Sequence, residues 1–185
     1  MCGSAAWARP ATTARKPKKS TCATPTEAPS FTNVRKKLRV AAYAVCVRDG
    51  QLLLARSPAE GGGYEWVLPG GGMDHGEHPN DTVVRELEEE TGYHIEVTGF
   101  LGMDSIHHVI PWSYRRKVDQ HGLRLVYEAR IVGGELRNEI GGSTDMAAWH
   151  PLDDVSGLRR VPLIDIALRL WRERPAVGRV GRVPE

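Results

Sequence analysis

The sequence predicts an α+β sandwich built on a mixed β-sheet. Three observations point there. Apolar runs of strand length recur between Val40 and Leu152. Helical spacing appears in only two stretches, residues 81–91 and the segment opened by Pro162. Strands and helices show no regular alternation, and 185 residues is the size of one domain.

The elements follow in chain order. Val40, Ala42, Ala44 and Cys46 alternate with Ala41, Tyr43, Val45 and Val47, so both faces are apolar and the segment reads as a buried strand. Asp49-Gly50 is a hairpin turn, and residues 51–56 are the returning strand. A glycine loop, Gly61-Gly62-Gly63, precedes Trp66-Val67-Leu68-Pro69 and a second run, Gly70-Gly71-Gly72. A helix is expected over 81–91, with Val83, Val84 and Leu87 apolar and Gly92 placed to end it. Strands are expected at 95–103 and 123–132, with a long connection between them that carries His107, His108, Trp112 and Tyr114. Gly133-Gly134 reads as a turn into a short polar strand around 135–137. Residues 141–144 read as a loop leading into 146–152. From Pro162, residues Leu163, Ile164, Ile166, Ala167, Leu170 and Trp171 form one helical stripe. Cys46, Trp149 and Trp171 are expected in the core. The folded domain is read as 39–175, followed by a loose tail, 176–185.

Composition narrows the class. Hydrophobic residues are 41% and charged residues 26%, ordinary for a globular protein, and no apolar run approaches the ~20 residues of a membrane span. No apolar core near the start resembles a secretory signal. Three cysteines, Cys2, Cys22 and Cys46, form neither a disulfide framework nor a zinc spacing, which points to a reducing, cytoplasmic setting. The net charge of +2 hides an asymmetry. Residues 1–39 hold nine Lys or Arg against Glu27 alone, and the rest of the chain is acidic. With few large apolar residues, 1–38 reads as a disordered basic arm. A solvated tail, a nucleic-acid or anionic-surface arm, a targeting segment and a start placed too early all remain open for it.

The chemistry concentrates in the helix at 81–91. Glu86, Glu89 and Glu90 stand at i, i+3 and i+4, so three carboxylates share one face, and Arg85 alone cannot neutralise them. A solvated acidic face would look the same. Clustered hard oxygens also suit Mg²⁺ or Mn²⁺, and glycines just upstream let a backbone come close to a ligand.

From Gly71 the order is Gly, five residues, Glu77, seven residues, then Arg85-Glu86-Leu87-Glu88-Glu89-Glu90-Thr91-Gly92-Tyr93. This resembles the Nudix box of the Nudix hydrolases, G-x5-E-x7-R-E-U-x-E-E-x-G-U, with U a bulky apolar residue. Seven fixed positions would match by chance on the order of 10⁻⁸ per start site. Tyr93 departs from the family's usual aliphatic residue. The resemblance implies the Nudix fold, an α/β/α sandwich around a mixed sheet, over about 39–171. It also implies Mg²⁺- or Mn²⁺-dependent hydrolysis of a nucleoside diphosphate linked to another group. On this resemblance Glu89 and Glu90 are metal ligands, Glu86 a further ligand or the general base, and the Gly70 carbonyl a backbone ligand. Arg85 orients the carboxylates, and Glu77 holds the loop or acts through a metal-bound water. Glu139 and Asp145 are candidates for a base outside the box. Arg56, Trp112, Glu139 and Asp145 are candidate substrate contacts. His75 and His78 either touch phosphate or are exposed loop residues. The expected partner is a small nucleotide-type substrate, with no membrane, nucleic acid only through the arm, and a homodimer possible from the habit of relatives. A nucleotide-sensing module without turnover and an RNA-processing pyrophosphohydrolase are the alternative readings.

Overall fold

The computed structural model describes residues 34–59, 61–113 and 116–181; within 110–117 only backbone pairing is described. Residues 1–33 of the basic arm and the last four of the tail lie outside the described residues. The elements are β1 (Val34–Val45), β2 (Val47–Arg48), β3 (Gln51–Pro58), β4 (Tyr64–Val67), β5 (Gly70–Gly72), α1 (Pro79–Thr91), β6 (Tyr93–Ser113), β7 (Arg116–Gly134), β8 (Met146–Pro151) and α2 (Pro162–Glu173).

One sheet has the order β5-β1-β7-β6, with β1 and β7 parallel and the other pairs antiparallel. In the second, β3 pairs antiparallel with β2, β4 and β8. Asp49 and Gly50 both take positive φ, the backbone a tight right-twisting hairpin needs between β2 and β3.

Alternation along the strands divides the core. Ala42, Ala44 and Leu53 pack toward α1 with Val83, Leu87, Tyr93, Ile95, Tyr127 and Ala129. Val45, Leu52, Leu54, Leu68, Leu101 and Val126 pack toward α2 on Leu163, Ile164, Ala167, Leu168 and Leu170. Helices on opposite sides of a mixed-sheet core give the expected sandwich. Cys46 is buried, and that burial pushes its thiol up to about 12, so it is a packing residue. Trp149 and Trp171 sit at the core's rim, because each indole N–H reaches out to a partner, Tyr93 Oη at 3.2 Å and Glu128 Oε1 at 2.9 Å.

Several expectations need correction. β1 begins at Val34, inside the predicted basic arm, because 34–39 pairs in parallel with 117–122 of β7. The second glycine run is a strand, β5, on β1. The long connection after residue 103 is the outer half of a β6–β7 hairpin, held by pairs such as His107↔His121 and Val109↔Asp119. Gly133-Gly134 is no turn: it ends β7 opposite Tyr93 and His94, and 135–139 forms no strand. The described part of the tail is tied down. The Met103 N–H donates to the Gly178 carbonyl at 2.8 Å, and Arg169 Nη1 donates to that of Gly181 at 2.9 Å. Gly102 lets the strap lie flat, since a Cβ there would stand 2.1 Å from the Gly178 oxygen.

Ile164 is fully buried in the α2-side core. Ile164→Ala is expected to lower the unfolding free energy by about 2–5 kcal/mol in a urea titration.

Candidate active site

Helix α1 begins two residues before its sequence-predicted start. Pro79 occupies the first turn, and His78 Nδ1 accepts the Asn80 N–H at 3.2 Å, so His78 is the N-cap. Gly92, at φ 75°, ends the helix by donating its N–H to the Glu88 carbonyl. The rotation of α1 is set by Val83 and Leu87, both fully buried. Glu90 continues that row at i+7, so the packing that buries the two apolar side chains also drives a carboxylate into the protein, where it is 3% exposed. Glu86 and Glu89 flank the row with side chains 15% and 52% exposed.

The glycines of β5 make room for these acids. The Gly70 N–H donates to Glu90 Oε2 at 2.9 Å. Gly70 has φ 134°, and a Cβ there would lie 2.3 Å from the Ala42 carbonyl oxygen. A Cβ on Gly71 would lie 2.5 Å from Glu86 Oε2. The run therefore brings strand backbone against two carboxylates at once.

Arg85 is the cation among them. It donates to Glu77 through Nε and Nη2, to Glu86 and Glu89 through one shared Nη1, and to the Gly72 carbonyl. Glu77 also accepts from the Asp74 N–H at 3.0 Å and the Thr82 hydroxyl at 2.8 Å. The hydrogen bonds from Arg85, then those from Asp74 and Thr82, pull its carboxyl down to about 2. Glu77 thus pins the 73–78 loop to α1. Glu90 goes the other way: burial, opposed by one backbone N–H and reinforced by Glu86, Glu139 and Glu89, pushes it up to about 8. Burial raises Glu86 as well, against the pull of Arg85.

Glu139 and Asp145 separate. Glu139 Oε2 accepts the Thr144 N–H at 3.0 Å and its hydroxyl at 2.8 Å, and the Glu139 charge is felt by both Glu86 and Glu90. Asp145 is instead held by Arg56 through two hydrogen bonds of 2.9 and 2.8 Å, which lower its pKa. The Arg56 guanidinium also lies 4.5 Å from the centre of the Tyr64 ring. The Trp112 side chain is outside the described residues. A hollow of about 510 Å³ opens beside the outer face of α1, lined by Asp81, Val84, Arg85, Glu88, Glu89 and Arg137. Thr82, Arg137 and Tyr64 carried no sequence signal, since their placement depends on loops closing over α1 and β3.

The donor set fits a hard divalent cation. Glu86, Glu89, Glu90 and Glu139 supply only oxygens, one is buried with a single N–H donor, and Arg85 offsets one charge. Among the described residues no three such groups already stand at liganding distance; Glu86 and Glu89 are drawn to the shared Arg85 Nη1.

The Glu77 anchor carries a sign for acid stability. A carboxyl held below its unfolded value stabilises the fold above the ordinary carboxylate range, and that stability is lost as pH falls toward about 2. Glu77→Gln is expected to lower the melting temperature at neutral pH and to flatten its fall below about pH 4.5. Calorimetry across that range checks both.

Comparison with known proteins places this geometry. A NUDIX domain model matches residues 36–169. The chain is 35% identical over 79 residues to an 8-oxo-dGTP diphosphatase of Proteus vulgaris, covering 42% of this chain and 68% of that protein. It is 33% identical over 101 residues to an ADP-ribose pyrophosphatase of Methanocaldococcus jannaschii, spanning 53% of this chain and about half (54%) of that relative. Among solved structures, a MutT NUDIX hydrolase from Burkholderia pseudomallei is 34% identical with a TM-score of 0.51, covering 64% of this chain and 87% of that one. A NUDIX hydrolase from Nitrosomonas europaea, at 21% identity and TM-score 0.60, shares the fold over 75% of this chain and 90% of that one. With the box folded as glycine strand, pinned loop and carboxylate helix inside a matched domain, the chain belongs to the Nudix hydrolase family.

Proposed function

We propose that this chain is a metal-dependent pyrophosphohydrolase. It cleaves the pyrophosphate bond of a nucleoside diphosphate linked to another moiety, by attack of water at phosphorus. The observation that carries the reading is the buried Glu90 carboxylate, set among Glu86, Glu89 and Glu139 with one guanidinium to offset them. Glu86, Glu89, Glu90 and the Gly70 carbonyl would hold Mg²⁺ or Mn²⁺. Held there, the ion would supply charge neutralisation to the pyrophosphate oxygens and make the attacking water more acidic.

The chain's own residues do the rest. The Gly70 N–H fixes one oxygen of Glu90, Oε2. Arg85 holds Glu86 and Glu89 in place and, through Glu77, locks the loop that precedes α1. Glu139 acts as general base. Thr144 holds its Oε2 through an N–H and a hydroxyl, and the carboxyl packs over Gly142, where a side chain would leave it no room. Asp145, ion-paired with Arg56, stays outside that role. Water adds to one phosphorus, the bridging oxygen leaves on the other phosphate, and Glu139 takes the released proton. Arg137 and the hollow beside α1 lie where a phosphate-bearing portion of the substrate can rest. The named relatives act on an oxidised deoxynucleotide and on ADP-ribose, which share a nucleoside polyphosphate, so a nucleotide-type substrate is the class proposed.

Hydrolysis of a panel of nucleoside triphosphates, oxidised dGTP, ADP-ribose and dinucleotides, followed by chromatography with Mg²⁺, tests the reading. Glu139→Gln is expected to lower kcat by about 10²–10⁴ with little change in KM. Gly71→Ala is expected to displace Glu86 and reduce kcat while the protein stays folded. Full turnover in Glu90→Gln would overturn the assignment.

A further inference from the structure

Beyond the carboxylate site, the first sheet extends outward as a three-stranded ribbon made of 34–39, 105–113 and 116–122. All six residues Val34–Arg39 are exposed. β5 pairs with β1 only at 41–43, so among the described residues 34–39 has β7 on one side and no strand on the other. Its sequence, Val-Arg-Lys-Lys-Leu-Arg, carries four cations, and no described hydrogen bond or ion pair engages Arg35, Lys36, Lys37 or Arg39.

The register sorts the ribbon into two faces. Arg35, Lys37 and Arg39 share one face with Val118, Gln120 and Gly122 of β7, and with Ile106 and His108 of β6. Within the ribbon that face has no carboxylate; the next β6 residue on it, Asp104, is ion-paired with Arg124. The other face carries Lys36 beside Asp119, which is already bonded to His107. One lysine on an open edge is enough to discourage pairing with another sheet. Here three cations instead stand in one row at alternate positions, about 6.6 Å apart by strand geometry. An amide and an imidazole lie beside them.

We propose that this face binds single-stranded nucleic acid, with Arg35, Lys37 and Arg39 following the phosphodiester backbone and Gln120 and His108 facing the bases. A repeating row of phosphates is the chemistry that an acid-free row of cations complements. The other face, with Asp119 and the exposed Leu38 and Val109, lacks that complementarity. The Arg39 guanidinium at the inner end of the row packs over Gly72 of β5, and the proposal does not rest on the hydrolase reading.

The test is fluorescence anisotropy of a labelled oligouridine of about 16 nucleotides with the full chain, titrated between about 50 and 200 mM salt. Binding is expected, with affinity falling steeply as salt rises. Arg35→Gln/Lys37→Gln should reduce the slope of log Kd against log salt by about 1.4 and weaken binding at least about tenfold at low salt. Lys36→Gln, on the opposite face, should change binding much less, and nucleotide hydrolysis and melting temperature should match the unmodified chain in all variants. No binding at low salt would overturn the proposal. So would unchanged binding by the double variant, an equal loss in Lys36→Gln, or tighter association with phosphatidylserine vesicles than with the oligonucleotide.

Discussion

A 2.9 Å hydrogen bond from the Gly70 N–H to Glu90 ties strand β5 to helix α1, and the geometry of the site depends on it. Both partners are forced into place by other packing. Gly70 is held by β1, whose Ala42 carbonyl comes so close that no side chain fits at position 70. Glu90 is carried inward by the buried row of Val83 and Leu87. The sheet and the helix cannot both pack without burying a carboxylate, and a buried carboxylate is costly unless something compensates it.

Compensation is divided unevenly among the acids. Glu77 receives two Arg85 nitrogens, a backbone N–H and a hydroxyl, and becomes a structural anion. Glu86 and Glu89 share a single Arg85 nitrogen. Glu90 receives one backbone N–H and three like-charged neighbours. Arg56 is spent on Asp145 and Arg124 on Asp104, so neither offsets the charge on α1. The negative potential therefore gathers where a metal and pyrophosphate would meet, while uncompensated positive charge sits on the outer strands of the first sheet.

The sequence made the chemical residues legible more fully than the scaffold around them. Helical period placed Glu86, Glu89 and Glu90 on one face, and the resemblance to the Nudix box singled them out with Arg85; the Asp49-Gly50 turn, both helices and the two-faced core strand rest on local rules of period, cap or turn. Failures came where pairing outranks local preference. Three glycines have little strand propensity, yet β1 recruits them as β5. Residues 104–113 have no half-buried alternation to read, because the ribbon they join is solvated on its faces, and cross-strand contacts such as Ser105 with His121 hold it. Gly133-Gly134 carries a turn signature but lies opposite Tyr93-His94, about forty residues away in sequence, a partner no local window contains. Glu139 and Asp145 stood level in the sequence because their partners lie far along the chain or across a loop: Asp145 pairs with Arg56, and Glu139 accepts from Thr144.

Glu90 is a carboxyl raised by burial, and a divalent cation held beside it would stabilise its charged form. Burial and the facing charges of Glu86, Glu139 and Glu89 raise it to about 8, against the Gly70 N–H; Arg85 engages its neighbours. At neutral pH the cation-free protein then holds a proton that would have to leave if Mg²⁺ were bound there. Titration calorimetry at pH 7 in buffers of different ionisation enthalpy counts that proton directly. Proton release approaching one per Mg²⁺ is expected in the unmodified chain, and none from this position in Glu90→Gln. Mg²⁺ binding with no proton release, or an identical count in the variant, would contradict it.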